Sequence, residues 1–151
     1  MNPLYLLAVL ASFVIADLIT PQLNKPISGG EFTFTGATGR GACGLDIGNL
    51  SAGVSSSLFD SSSQWVPSDL PDGRYVLDDP VCKGICVQIE YKGSTAVFPV
   101  DNECAACDID HVNLSTEAFL ILEPAGGKNG LATNATITYL FCNSTTVTGN
   151  C

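Results

Sequence analysis

Hydrophobic and polar residues alternate over several short stretches of this chain, which indicates strands. The clearest alternations cover residues 31–35, 86–91, 95–100 and 136–141, and these stretches are rich in Val, Ile, Thr and aromatic residues. Lys92-Gly93 separates the second stretch from the third and predicts a tight hairpin turn. The Ser-rich residues 51–63 contain Val54, Leu58 and Phe59, so we interpret them as a loop with a short strand.

One short segment is typical of a helix. We predict it over residues 115–122, with Ser115 as the N-cap and with Pro124 and the Gly126-Gly127 pair ending it. Residues 65–80 are rich in Pro and Asp and predict a surface loop. Several short strands, frequent turn residues and one helix together predict an all-β domain that forms a closed or nearly closed barrel.

The first residues predict secretion. Residues 1–16 form an apolar stretch without charged side chains that ends in a small residue, Ala16, which is typical of a signal peptide cleaved after that residue. The stretch is shorter than the ~20 residues that a membrane span needs. We expect an extended leader over residues 17–29 and an extracellular mature protein.

The cysteine content agrees with an oxidising compartment. Seven Cys residues lie after the predicted signal peptide, which predicts a disulfide framework. Two pairs, Cys82-x3-Cys86 and Cys104-x2-Cys107, also allow a zinc site or, for the second pair, a redox function. Because seven is odd, one thiol is left over. Cys151 is free, bonded to another chain or paired with Cys142 in this interpretation.

The charge restricts the partners. Six basic residues stand against fifteen acidic ones, giving a net charge of −9. This balance argues against nucleic acid, whose phosphates require Lys and Arg, and against anionic membranes. A neutral glycan stays compatible, and nothing in the sequence calls for a cofactor or a metal. We expect a monomer.

A series of motifs occurs in a fixed order between residues 30 and 142. It resembles the pattern of secreted double-psi β-barrel proteins, which include expansin-like proteins, loosenins, barwin-like proteins and rare-lipoprotein-A-like domains. The motifs are TFTG at residues 33–36, GACG at 41–44, CKGIC at 82–86, PVDNECAAC at 99–107 and HVNLSTEAF at 111–119. The resemblance implies a six-stranded double-psi β-barrel over residues 30–142, followed by a tail over 143–151. It also implies three disulfide bonds, namely Cys43–Cys82, Cys86–Cys142 and Cys104–Cys107.

The same resemblance implies a polysaccharide-binding groove. It assigns Thr33 or Thr35, Asp101 and His111 to that groove, together with Asn113, which stands where the family has an Asp before Leu-Ser. In lytic relatives such an acid protonates the glycosidic oxygen, and an amide cannot do so. Asp101 is thus the one candidate catalytic residue that matches the motif.

Asp108 and Asp110 lie near the motif and are alternatives for the missing acid. The aromatic residues Trp65, Tyr75 and Tyr91 either stack on sugars or pack in the core. Four sequons mark candidate glycosylation sites, at Asn49, Asn113, Asn134 and Asn143.

Three functions stay open. The first is an expansin-like protein that binds cell-wall polysaccharide and loosens it without hydrolysis. The second is a lytic transglycosylase or an endoglucanase-like enzyme, which would need Asp108 or Asp110 as its acid. The third is a protein-binding module, such as a protease inhibitor or an effector, with its interface on residues 60–80.

Overall fold

The computed structural model describes residues 17–143 and 146–148. The predicted signal peptide and Cys151 lie outside these residues. Within the described ranges, eight strands and one α-helix follow one another: β1 (Ile27–Thr35), β2 (Ala52–Ser55), β3 (Trp65–Pro67), β4 (Tyr75–Leu77), β5 (Ile85–Tyr91), β6 (Ser94–Cys104), β7 (His111–Ser115), α1 (Thr116–Leu122) and β8 (Leu131–Phe141). Short 3₁₀ helices cover Thr20–Gln22, Ser56–Leu58 and Pro80–Cys82.

Six of these strands close into a barrel in the order β1-β7-β2-β6-β5-β8. The pairs β1–β7 and β2–β6 are parallel, whereas the other four contacts are antiparallel. The all-β, six-stranded, disulfide-stabilised fold predicted above is therefore confirmed. Closure leaves no free sheet edge in the barrel, which removes a site of unwanted strand pairing.

The local sequence explains two of the barrel contacts. Lys92 and Gly93 have φ values of 48° and 81°, so both occupy the left-handed region that the turn between β5 and β6 requires. β8 is eleven residues long and pairs with β5 along one edge and with β1 along the other. This long strand closes the barrel.

The core is aromatic at its centre. Phe32 lies edge-on to Tyr91 with ring centroids 5.0 Å apart, and it packs against Phe119 of α1 at 5.2 Å. Phe98 and Tyr139 are also fully buried. These contacts fix α1 against β1, the strand that carries Thr33 and Thr35.

Several elements differ from the predictions made from the sequence. Part of the leader is packed, since Ile19 is buried and the Asn24 amide donates to the Tyr139 carbonyl over 2.7 Å. β6 continues through Asp101 to Cys104, and the residues before the helix form strand β7. Ser115 is the N-cap residue of α1, as predicted, but its side chain makes no capping hydrogen bond, because its hydroxyl donates to the Asn49 carbonyl instead. The predicted surface loop over residues 65–80 contains the two-stranded hairpin β3–β4.

Three disulfide bonds are present among the described residues, and they confirm the three pairings that the resemblance implied. The four thiols considered above as zinc ligands are therefore all oxidised. Within residues 17–143 and 146–148, no group of three or more His, Cys, Asp and Glu side chains is arranged to hold a metal ion. Among the helices of the same residues, none has the length and apolar character needed to cross a membrane.

Candidate functional site

A row of polar side chains crosses strands β1 and β7 on the outside of the barrel. The two strands are parallel, and their register places Glu31 opposite His111 and Thr33 opposite Asn113. Between these positions lie buried residues such as Phe32, which point inward because successive side chains of a strand alternate in direction. Two of the predicted groove residues, His111 and Asn113, thus meet Thr33 across one strand pair.

Hydrogen bonds join this row into a polar cluster of Glu31, Thr33, His111 and Asn113. The Thr33 hydroxyl lies 2.9 Å from Nε2 of His111 and 3.2 Å from Oδ1 of Asn113. On the other side of the imidazole, Nδ1 lies 3.2 Å from a Glu31 carboxylate oxygen. All four side chains are half-buried, so they remain within reach of a ligand.

Two proton arrangements satisfy this polar cluster. If the imidazole is neutral with its proton on Nδ1, the Thr33 hydroxyl donates to Nε2, and Asn113 must turn its amide nitrogen toward Thr33. If the imidazole is protonated, Nε2 donates to Thr33, and Thr33 donates to the Asn113 oxygen. The charge of His111 therefore decides whether Asn113 offers a donor or an acceptor to a ligand.

Asp101 lies two strands away from this cluster. β2 separates β7 from β6, and its Gly53 is paired with Asn113 on one side and with Asn102 on the other. The register of β2 and β6 shifts next to Asp101, where Ala52 pairs with Val100 but Gly53 pairs with Asn102. Gly53 adds no side chain between Asn113 and the β6 residues.

The Asp101 carboxyl group is buried, with only 7% of the residue exposed. Its Oδ2 accepts a hydrogen bond from the Gly48 amide over 2.9 Å, whereas its buried Oδ1 has no hydrogen-bond partner. Burial raises the pKa of Asp101 above its usual value, and the hydrogen bond from Gly48 opposes this only in part. The protonated form, which is the form that a general acid needs, therefore persists to a higher pH than in an exposed Asp.

The loop of residues 36–50 buries Asp101. The Cys43 amide donates to the Asp101 carbonyl over 3.3 Å, and a Cβ atom on Gly41 would lie only 2.4 Å from that carbonyl oxygen. A cleft of about 230 Å³ lies between this loop and the start of α1, and Thr35 is among its lining residues. Thr35 itself accepts a hydrogen bond from the Ala37 amide, so it shapes the loop. A ligand in this cleft would contact Thr35, while Asp101 lies beneath the loop.

Among the described residues, the side chains of the nearby acidic residues make no hydrogen bond or ion pair with the polar cluster. Asp108 and Glu103 are exposed, and Asp110 is half-buried in the turn before β7. The backbone carbonyl groups of Asp108 and Asp110 hold that turn by accepting from His111 and Glu31.

The four sequons lie in different surroundings. Asn49, Asn134 and Asn143 are exposed, whereas Asn113 is half-buried and within hydrogen-bond distance of Thr33. A glycan on Asn113 would stand in the row of polar residues itself. These positions remain predicted glycosylation sites.

The three aromatic residues singled out from the sequence differ in exposure. Tyr91 is buried in the core and donates a hydrogen bond from its hydroxyl to Glu123. Trp65 and Tyr75 lie on the β3–β4 hairpin and are 53% and 55% exposed. The sequence did not predict this hairpin, because Pro and Asp residues hide its strands.

Glu31 is the member of the polar cluster that the sequence analysis missed. The signal was present in the alternation of residues 31–35, which puts Glu31 and Thr33 on the same face of a strand. Its contact with His111 depends on the parallel pairing of β1 with β7, which a sequence does not reveal.

Comparisons with known proteins agree with this architecture. No protein-family model matches the chain. A papain inhibitor from Streptomyces mobaraensis is 34% identical over 104 residues, which are 68% of this chain and 66% of that protein. The solved structure of the Streptomyces papain inhibitor superposes with a TM-score of 0.59 and 27% identity, over 78% of this chain and 96% of the other. An expansin of Clavibacter michiganensis, solved as a variant in complex with cellohexaose, gives a TM-score of 0.48 and 19% identity over 78% of this chain and 50% of that chain. A TM-score below 0.5 is too low to transfer any property from that expansin.

The closed six-stranded barrel and its superposition on the Streptomyces papain inhibitor define the class: the chain belongs to the double-psi β-barrel proteins. Within that class it is similar to the Streptomyces papain inhibitor in both sequence and structure. The chain spans about two thirds of the length of the curated relative that it matches. Fold alone does not decide function, because one barrel serves several roles.

Proposed function

We propose that this protein is a secreted inhibitor of papain-like cysteine proteases. The observation that carries the proposal is the 34% identity to a papain inhibitor over 104 residues. This replaces polysaccharide binding as the leading hypothesis and makes the protein-binding module the preferred one of the three functions. The proposal includes residues 1–16 as a signal peptide, residues 30–142 as the inhibitory barrel and residues 143–151 as a tail.

The structure supports this proposal through its rigidity. A protease inhibitor has to present a fixed surface, since ordering a flexible surface on binding weakens the complex. Two disulfide bonds link positions 39 and 56 residues apart in the sequence, and a third closes the turn after β6. Such cross-links are typical of small proteins that act outside the cell, where proteases are abundant.

The polar cluster gives less support to an enzyme. Residue 113 is an Asn, so Asp101 is the one carboxyl group that matches the motif. Glycoside hydrolysis ordinarily uses two carboxyl groups. Asp101 is 7% exposed under the loop of residues 36–50.

An inhibition assay tests the proposal. Residues 17–151, expressed with their disulfide bonds, should slow the hydrolysis of a peptide substrate by papain in proportion to the inhibitor concentration. The controls are trypsin, as a serine protease, and this protein after reduction and alkylation. If papain keeps its full activity at a large excess of the folded protein and no complex forms in a binding assay, the proposal is wrong.

Polysaccharide binding is the second candidate, and one observation favours it. Oδ1 of Asp101 is a buried acceptor without a partner, two strands away from the row of half-buried polar side chains. The test is a pull-down on cellulose, chitin and peptidoglycan with an Asp101→Ala variant and an Asp108→Ala control. Retention of the wild-type protein and of the control, but not of the Asp101 variant, would support a glycan-binding groove.

A further inference from the structure

We propose that the β3–β4 hairpin is the surface that docks into the cleft of the protease, with Trp65 and Tyr75 as its main anchors. This inference rests on the proposed inhibitory function and adds the site of contact. The hairpin surface is defined by Trp65, Pro67, Leu70, Tyr75 and Leu77.

The exposed aromatic side chains lie together on one face of the hairpin. Trp65 is paired with Leu77, and Pro67 is paired with Tyr75, so these four side chains project from the same side of the two-stranded sheet. Leu70, at the tip, is 38% exposed. Exposed Trp and Tyr side chains are the types that dominate binding energy at protein interfaces.

The base of the hairpin is fixed to the barrel. Leu77 donates from its amide to the Cys43 carbonyl over 3.0 Å, and Cys43 is joined to Cys82 by a disulfide bond. The Asp79 carboxylate, which is 1% exposed, accepts hydrogen bonds from the Asp60 amide at 2.8 Å and from the Ser63 hydroxyl at 2.7 Å. The two ends of this segment are thereby held together.

The side of the hairpin is held by an arginine. The Arg74 guanidinium, whose side chain is 16% exposed, contacts Asp46 at 2.7 Å and Asp72 at 2.6 Å. The Trp65 ring also lies close to the backbone of Gly44, where a Cβ atom would be 2.9 Å from Cζ3 of the ring. The aromatic side chains therefore project from a backbone that is already ordered before binding, so the entropy cost of ordering the hairpin on binding is small.

A depression beside the tip completes the surface. Its volume is about 380 Å³, and Leu45, Leu70, Pro71 and the aliphatic part of Arg74 help to line it. The depression lies against the same segment as Trp65 and Tyr75. It gives a partner side chain a place to pack next to the protruding aromatic residues.

Charge indicates the kind of partner. Residues 60–80 contain five Asp residues and one Arg, a net charge of −4 in a chain that is itself acidic. Asp79 is buried and Asp72 and Asp78 are in ion pairs, whereas Asp69 is exposed next to the tip of the hairpin. This exposed carboxylate and the net negative charge of the segment match a protein that has a basic rim around an apolar cleft, and they disfavour an acidic partner. The charge of the hairpin thus matches a protease that carries positive charge next to its substrate-binding cleft.

The binding experiment compares two double variants against papain at two salt concentrations. Trp65→Ala/Tyr75→Ala should weaken binding by about 30-fold or more, which is the scale of interface hot spots. The control, Leu120→Ala/Ile121→Ala, removes two side chains of α1 that are 43% and 45% exposed, and it should bind like the wild-type protein. Thermal melts verify that each variant is folded.

Two further variants keep the test sharp if the first one misfolds. Leu70→Ser changes only the tip of the hairpin and should weaken papain binding. Asp69→Lys replaces an exposed acidic residue and should slow association several-fold at low salt, with a smaller effect at high salt.

The outcomes separate the surface from the function. If wild-type protein binds papain and the hairpin variants bind equally well, the hairpin assignment is wrong and the inhibitory function stands. If wild-type protein does not bind papain, the proposed function fails and the assignment falls with it. Retention on cellulose or chitin that disappears in Trp65→Ala/Tyr75→Ala would assign the hairpin to a glycan and overturn the inference, as would a dimer that the same variant dissociates.

Discussion

Replacing Asp101 with Asn should stabilise this protein at neutral pH. The wild-type carboxylate is buried and has one oxygen without a hydrogen-bond partner, and its pKa is raised by that burial. An Asn side chain has nearly the same shape, keeps an acceptor for the Gly48 amide and carries no charge. A buried polar atom without a partner costs about 1–3 kcal/mol, and part of this cost remains because the amide nitrogen takes the place of Oδ1. We therefore expect a gain of about 1 kcal/mol in the free energy of unfolding at pH 7.

The sign of the pH dependence follows from the raised pKa. The folded protein holds the Asp101 proton more tightly than the unfolded chain, so this group makes stability fall as pH rises from the unfolded pKa through the folded pKa. Below that window the wild-type carboxyl group is protonated in both states. The advantage of Asp101→Asn should therefore be full at pH 7 and should disappear on acidification.

Urea denaturation of wild-type protein, Asp101→Asn and Asp108→Asn between pH 3 and pH 7 measures this effect. Asp108 is exposed, so its replacement should change the free energy of unfolding little at any pH. A loss of stability in Asp101→Asn at pH 7, or a difference that stays constant over this pH range, would refute the account of Asp101 as a poorly solvated carboxylate.

Three other substitutions test the packing around the site. Cys86→Ser/Cys142→Ser opens a link between positions 56 residues apart and should cost about 4 kcal/mol by the chain-entropy estimate, measured by urea denaturation. Gly44→Ala should lower the melting temperature, because Gly44 has a φ of 83° and the added Cβ atom would lie only 2.6 Å from the Tyr75 carbonyl oxygen of the hairpin. An unchanged melting temperature would show that the hairpin backbone moves to accommodate the methyl group. Glu123→Gln should also destabilise the protein at pH 7. The hydrogen bond from Lys92 and, to a smaller extent, the hydrogen bond from Tyr91 lower the pKa of Glu123. The contribution of the Glu123 carboxylate to stability is therefore present at neutral pH and is lost as pH falls through the folded-state pKa. A melting-temperature difference that did not shrink on acidification below the usual pKa of Glu would contradict this.

The resemblance of the motifs predicted the barrel fold because those motifs contain turns of the barrel and the cysteines of its disulfide bonds. The turn at Lys92-Gly93 requires left-handed backbone, which a tight hairpin signal reveals. The parallel pairs were different, since they join distant segments of the chain: Thr33 pairs with Asn113, 80 residues away, and Ala52 pairs with Val100, 48 residues away. Local patterns carry no direct record of such pairings.

The hairpin β3–β4 was missed by the sequence analysis, which predicted a loop there. Each of its strands is three residues long and is flanked by Pro and polar residues, so no alternation of hydrophobic and polar positions identifies it. They are ordered by distant groups, which include the Cys43 carbonyl and the Asp46 carboxylate. Tertiary contacts override weak local preferences in such short strands.

The sequence by itself determined an all-β fold class and the presence of an amide at Asn113, because both depend on the type and order of residues. The three disulfide pairings were implied by the resemblance of its motifs to those of double-psi β-barrel proteins. The tertiary structure decided which of these residues are accessible. Closure of the barrel brought Glu31 and His111 together, and the loop over β6 buried Asp101. The same packing left Trp65 exposed on a rigid hairpin, since exposure depends on what the rest of the chain covers.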